Sequence, residues 1–328
     1  MAFQNGLVAQ DTINPSLPIN QSKLRAVEIT GNKNASYLLI PEFSTVKVMP
    51  EMYPFQGLPG EPLRIALARR EYEAGQVIVA PISQSLQNVR FQASEFTSPE
   101  GNTFPEGSIE LSVVGYVQTD STKKMSYPVD RFGWFPDPIL PDLKEFDVPV
   151  NNVQTLWLEV HAQENQPPGT YYGEIKVSPE NSPQRSLKTE ITVFDFALPA
   201  IKSFPTIVGV FPEHLEKIYG KQWNEALWWE YAEFMLRHGL DMDNPYREEG
   251  SPPGLDRINR LAASGQRRWC LYYIRQPGRG WSSTGPDASE YDDYIERVIH
   301  QARQRLEVLE KAGLREMAYI YLFDEVRE

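Results

Sequence analysis

The 328-residue chain contains a single cysteine, Cys270, so no intramolecular disulfide and no cysteine-built metal cage can hold it together. The expected role of that thiol is a small buried apolar residue. Positive charge is in deficit: 32 Lys and Arg stand against 44 Asp and Glu, a formal net charge of −12 at pH 7. A surface of that sign repels phosphate backbones and anionic head groups, which argues against nucleic acid and membrane surfaces as partners. Long apolar runs are missing as well. No eighteen consecutive apolar residues occur, and the first thirty residues lack the basic start and apolar centre of a secretion signal. The chain as given reads as soluble and leaves its compartment open, secretion or a periplasmic location being compatible with a leader removed upstream. Histidine is sparse at four residues. His214 has no second His, Cys or carboxylate at ligand spacing, so neither a metal nor a cofactor is expected.

What is present is core-forming material. At 41% hydrophobic and 12% aromatic, the chain can bury substantial cores, and its length suits two domains. Proline marks the boundary, because 21 of the 27 prolines lie at or before Pro205. Up to about residue 200, short runs alternate apolar and polar residues with period two between turn residues, the pattern of half-buried strands. In the clearest pair, Ile109, Leu111 and Val113 alternate with Glu110 and Ser112, and Leu187, Thr189, Ile191 and Val193 alternate with Lys188, Glu190 and Thr192. Further strands are expected at 63–68, 76–80, 86–92, 153–160 and 170–177, with weaker ones at 24–29 and 37–40. The cluster 131–141 (RFGWFPDPILP) reads as a rigid aromatic turn, either a packing corner or a sugar site. Residues 1–199 are therefore expected to form a β-sandwich.

After Pro199 the period changes. The run 204–211 (FPTIVGVF) reads as a strand buried on both faces, and Leu227, Tyr231, Phe234 and Met235 recur at helical spacing within 224–240. A strand near 241–246, a helix near 255–264 and a strand at 268–274 follow. Tyr294, Val298, Ala302, Leu306 and Leu309 then mark one face of a long helix ending at Ala312-Gly313, before a last strand at 317–323. A (β/α)8 barrel and a doubly wound open sheet share this alternation. The loop after the first strand, Pro212-Glu213-His214, carries no Gly-rich phosphate fingerprint, which favours the barrel. Residues 200–328 are thus expected to be the first half of a (β/α)8 TIM-type barrel, truncated after its fourth strand. Four parallel strands do not close, and the open edge predicts self-association.

Barrel active sites lie at the C-terminal strand ends. Asp324 and Glu325 directly follow the apolar run MAYIYLF. Adjacent carboxylates at an apolar strand end raise each other's proton affinity, so one can serve as an acid near neutral pH, as glycoside hydrolysis requires. The same pair could instead open a loop or cap a helix. The other strand ends offer His214, then Tyr246 and Arg247, then Tyr273, with Trp281 in the Gly-rich loop QPGRGWSSTGP as a ring that could stack on a sugar.

Five segments together resemble glycoside hydrolase family 123 and its relatives: ARREYEAGQVIV (68–79), GWFPDPILP (133–141), PPGTYYGEIKV (167–177), VFDFALPAIKSFPT (193–206) and YIYLFDE (319–325). The resemblance implies a β-sandwich followed by a (β/α)8 barrel. It further implies a retaining N-acetyl-β-galactosaminidase-type hydrolase whose nucleophile is the substrate's own 2-acetamido group. On that basis Asp324 would orient the acetamido group, Glu325 would be the general acid/base, and the partner would be a glycan carrying an N-acetylated amino sugar. A non-catalytic carbohydrate-binding or structural module with a vestigial partial barrel is the alternative.

Overall fold

The computed structural model describes residues 19–51, 56–57, 59–119, 132–200, 204–248, 250, 252–276 and 286–322. The chain divides into two compact units, Met1–Leu198 and Pro199–Glu328.

The first unit opens with helix α1 (Ile19–Thr30) and continues as ten strands: β1 (Tyr37–Phe43), β2 (Leu63–Arg69), β3 (Glu71–Pro81), β4 (Leu86–Ala93), β5 (Ile109–Thr119), β6 (Gly133–Leu140), β7 (Glu145–Val148), β8 (Gln154–Ala162), β9 (Gly169–Ser178) and β10 (Arg185–Ala197). They form two five-stranded sheets, ordered β1-β3-β8-β5-β6 and β2-β10-β9-β4-β7. The pairs are antiparallel except β2 with β10. Alternation explains the core. Leu156, Leu158 and Val160 of β8 and Ile175 and Val177 of β9 point inward and lose all exposure. Each such side chain contributes roughly 1.5–3 kcal/mol of transfer free energy.

The inner faces approach closely where side chains are absent. A Cβ on Gly75 would lie 2.8 Å from Leu63 Cδ1, and one on Gly173 would lie 2.7 Å from the Phe96 ring. The glycines of the EYEAGQVIV and YYGEIKV segments thus leave room for facing residues, a demand of backbone approach rather than of turns. Tyr37, fully buried, crosses between the sheets and donates to the carbonyls of Val177 (2.8 Å) and Pro183 (3.0 Å). Burial pushes its hydroxyl pKa up to about 12.

Two expectations for this unit are corrected. Residues 24–29 are helix, not strand. Ala26 packs with Leu38, Ile40, Ile78 and Ala80, so α1 covers the outer face of β1 and β3. That second layer is why Val77–Pro81 is buried without alternation. The RFGWFPDPILP cluster is likewise not a turn: Gly133–Leu140 is strand β6, paired with β5 at the edge of its sheet. An edge strand tolerates Pro136 and Pro138 because one side of it needs no donors.

The second unit alternates strand and helix: β11 (Thr206–Gly209), α2 (Pro212–Tyr219), α3 (Glu225–Arg237), β12 (Leu240–Asp243), α4 (Leu255–Ala263), β13 (Trp269–Ile274), α5 (Tyr291–Lys311) and β14 (Ala318–Leu322). Strands β11 and β12 form one parallel pair, and β13 and β14 another. The core gathers Trp229, Ala232 and Leu236 of α3, Ile258 and Leu261 of α4, and Tyr294, Val298, Ala302 and Leu309 of α5 around Trp269, Leu271 and Tyr272. The long helix therefore buries the face its spacing predicts. Helix α3 buries a face rotated from the predicted one, and Phe234 stays half exposed. Strand β11 is not buried on both faces; Thr206 and Gly209 are exposed, as on an edge strand. Helix α2 occupies residues read as a loop, with Pro212 in its first turn, where a missing N–H costs nothing.

Candidate functional site

In the second unit the chain leaves its strands beside a group of aromatic rings. Phe211 follows β11, Tyr246 follows β12, Tyr273 lies in the last turn of β13, and Tyr321 lies near the end of β14. The rings of Tyr246 and Tyr273 stand 5.2 Å apart at 78°, those of Tyr246 and Tyr321 5.5 Å apart at 89°, and those of Tyr273 and Tyr321 5.7 Å apart. Phe211 adds a ring 6.1 Å from Tyr246. Edge-to-face packing at these distances is favourable because ring edges are positive and ring faces negative. Tyr246 remains 38% exposed while Tyr273 is buried, so the cluster offers one open aromatic surface on a packed base.

A polar layer holds these strand ends. The Asp243 side chain has no exposure. Its Oδ1 accepts from the Arg247 guanidinium (2.6 Å) and the Asn244 N–H (2.8 Å), and its Oδ2 from the Cys270 N–H (2.6 Å) and the Tyr319 hydroxyl (3.3 Å). One carboxylate therefore ties β12 to both β13 and β14. Burial raises the Tyr319 hydroxyl pKa first, and the Asp243 charge raises it further. The same two causes, in the same order, push the Cys270 thiol up, so the single cysteine is not poised as a thiolate nucleophile.

The loop after β12 is clamped from two sides. Arg305, buried on α5, donates to the carbonyls of Leu271, Glu248 (2.6 Å) and Gly250 (3.0 Å). Glu248 in turn takes both a terminal and the ε nitrogen of Arg275 in a bidentate pair, the geometry in which guanidinium and carboxylate fit best. That pairing is the main cause of the upward shift at Arg275. Backbone and side chains thus hold Tyr246 where it meets Tyr273 and Tyr321.

The sequence-predicted residues divide into four groups. Tyr246 and Tyr273 come together. His214 lies exposed in the first turn of α2 with its ring 5.4 Å from Phe211, one aromatic residue removed from Tyr246. Arg247 faces Asp243 and lies over the Trp269 ring at 4.1 Å, which makes it part of the supporting layer. Asp324, Glu325 and Trp281 lie outside the described residues. Sequence reasoning missed Tyr321, Phe211, Asp243 and Glu248. The signal for Tyr321 was its spacing of two from Tyr319 in YIYL, which puts both on one face of the strand. No group of three or more metal-ligating side chains occurs among the described residues.

Residues 71–179 match the family model of the glycoside hydrolase 123 N-terminal domain, a stretch running from β3 to β9. Among solved structures, a family 123 glycoside hydrolase from Clostridium perfringens, described in connection with glycolipid glycan hydrolysis, is 14% identical with a TM-score of 0.49. The match covers 81% of this chain and 46% of that one, so this chain spans less than half the length of that structure. Self-complemented MyfA, the major subunit of Myf fimbriae from Yersinia enterocolitica, is 9% identical with a TM-score of 0.24, covering 48% of this chain and 98% of that one. Spo0M, a sporulation control protein from Bacillus subtilis, is 8% identical with a TM-score of 0.23, covering 48% and 49%. No curated protein matches. What these comparisons show is a likeness of residues 71–179 to the glycoside hydrolase 123 N-terminal domain.

Proposed function

We propose that the chain carries the first catalytic residues of a retaining N-acetyl-β-hexosaminidase of the galactosaminidase type. In this reading residues 1–199 are a β-sandwich that precedes a (β/α)8 barrel whose first half is residues 200–328. The observation that carries it is the convergence of Phe211, Tyr246, Tyr273 and Tyr321 beside the strand ends, with Asp324 and Glu325 following Tyr321 by three and four positions. The match of residues 71–179 to the family 123 N-terminal domain supports the class of chemistry.

Each group has a role. The exposed Tyr246 ring packs on the apolar C–H face of the sugar, and Tyr273 and Tyr321 keep that ring in place. His214 and Trp281 contact the rim of the substrate. Glu325 protonates the departing glycosidic oxygen while the 2-acetamido oxygen attacks the anomeric carbon from the opposite face, which breaks the C–O bond and closes a five-membered ring. Asp324 accepts from the acetamido N–H and balances its developing positive charge. Water then opens that ring with Glu325 as base, restoring the original configuration. Because the nucleophile comes from the substrate, no second carboxylate about 5 Å away is needed.

Glu325→Gln is expected to lower turnover of an aryl 2-acetamido-2-deoxy-β-galactoside about 100-fold or more, as loss of a general acid does. Near-normal turnover in that variant would overturn the assignment of Glu325. Equal turnover of the 2-hydroxy and 2-acetamido glycosides by the unmodified protein would overturn substrate assistance while leaving glycoside hydrolysis intact.

A further inference from the structure

The aromatic, proline-rich segment that became β6 has no part in the chemistry proposed above, yet it borders a cavity of the sandwich unit. That cavity measures about 300 Å3 and opens between β6, the edge strand of one sheet, and β7, the edge strand of the other. This is the small end of the range for small-molecule clefts, about 300–1,000 Å3. Trp134 of β6 and Leu143 just beyond it line the cavity, and each keeps 39% of its surface exposed. The indole is not a member of the sandwich core, although Val113 and Val148 of that core line the same cavity.

The polar groups of the cavity are few and convergent. Asn152 makes no side-chain hydrogen bond among the described residues, although its backbone carbonyl is held by the Lys23 ammonium at 2.9 Å. The Gln154 amide donates to the carbonyls of Val114 (2.7 Å) and Thr155 (3.1 Å), which fixes its orientation and leaves its Oε1 as an acceptor. Asp147 accepts the Asn88 N–H at 2.8 Å through Oδ1 and keeps Oδ2 available. Tyr116 shares a hydrogen bond of 3.3 Å with Thr155. An apolar ring, an amide that both donates and accepts, and two fixed acceptors suit a ligand with a C–H face and several hydroxyls. Among the described residues no Lys or Arg side chain lines the cavity, which disfavours phosphate or sulfate groups.

We propose that this cleft is a non-catalytic saccharide-binding site, with Trp134 stacking on the pyranose ring and Asn152, Gln154 and Asp147 holding its hydroxyls. The proposal is independent of the hydrolase reading, because its residues all belong to the sandwich unit. Gln154 and Asp147 are pre-set by the contacts above, so little ordering of these two side chains opposes binding.

The test is saturation-transfer NMR and calorimetric titration of the full chain with N-acetylgalactosamine, galactose, glucose and their β-linked disaccharides. At least one sugar is expected to bind. Trp134→Ala should weaken that binding about tenfold or more, Trp134→Phe less, and Asn152→Ala measurably, while Tyr246→Ala leaves a binding event in place. Circular dichroism and the retained ring of the Phe variant separate loss of the site from loss of the fold. Absence of binding by every sugar, unchanged affinity in Trp134→Ala, or loss of all binding in Tyr246→Ala would overturn the proposal. Preferential capture of an extended peptide at the β6 or β7 edge would overturn it too.

Discussion

Each of the two units is stabilised internally by different means. In the sandwich, the deepest side chains are aliphatic, with Leu156, Leu158, Ile175, Val177 and Ile191 repeated on every second position of paired strands. Any one of them has many equivalent neighbours. In the α/β unit, single polar groups occupy unique positions: Asp243 joins three strands, and Arg305 joins α5 to the loop after β12. A buried charge stabilises only while its partners are in place. The lesson is that the sandwich tolerates gradual change, while the α/β unit depends on a few irreplaceable contacts near the strand ends, where the aromatic cluster sits.

The largest expected effect breaks the polar tie. Asp243→Ala leaves the Arg247 guanidinium, the Cys270 N–H and the Tyr319 hydroxyl without their acceptor and should cost about 3–5 kcal/mol. Cys270, buried and the single cysteine of the chain, reports the loss directly, because labelling by a thiol reagent should accelerate in the variant. Unchanged labelling would show that Asp243 does not hold the unit together.

The matched change in the sandwich is Leu158→Ala, in a strand flanked by β3 and β5. It should cost about 2–5 kcal/mol in urea denaturation and leave the labelling rate of Cys270 unaltered. Acceleration at Cys270 equal to that of Asp243→Ala would erase the contrast between the units.

The smallest effect concerns the buried carboxylate of the sandwich. Glu42 accepts the N–H groups of Phe43, Gln56 and Gly57 at 2.8–2.9 Å, yet burial outweighs them and holds its pKa above the ordinary 4.5. A carboxyl raised in the folded state contributes stability that is full below its unfolded pKa and is lost as pH rises through the folded one. The stability of the unmodified protein relative to Glu42→Gln should therefore fall as pH rises from below 4.5 and then level off. A difference that instead grows with pH would reverse the sign and show that the three N–H donors win over burial.

Much of this architecture was legible because it rests on period. Strict alternation in 109–113 and 187–193 gave β5 and β10, and the 3–4 spacing of Tyr294, Val298, Ala302 and Leu309 gave α5. The errors fall where periodicity and local chemistry disagree with what a neighbour supplies. Residues 24–29 carry Val27 and Ile29, which favour strand, but burial of Lys23 and Ala26 three positions apart selects helix once the outer face of β1 and β3 needs a cover. Three prolines hid β6, because sequence does not announce which strand will be an edge.

At the candidate site, the sequence by itself placed Tyr246 and Tyr273 close after or within apolar runs, since strand ends follow from local pattern. It also determined the acidic balance, the single buried thiol and the contrast between a proline-rich β half and an alternating strand and helix half. Only the tertiary structure decided that Tyr246, Tyr273, Tyr321 and Phe211 share one cluster, that Arg247 turns to Asp243 and Trp269, and that Trp134 opens onto a cleft. Those outcomes depend on contacts between residues tens of positions apart, and local pattern fixes which face a side chain takes but not which distant face it will meet.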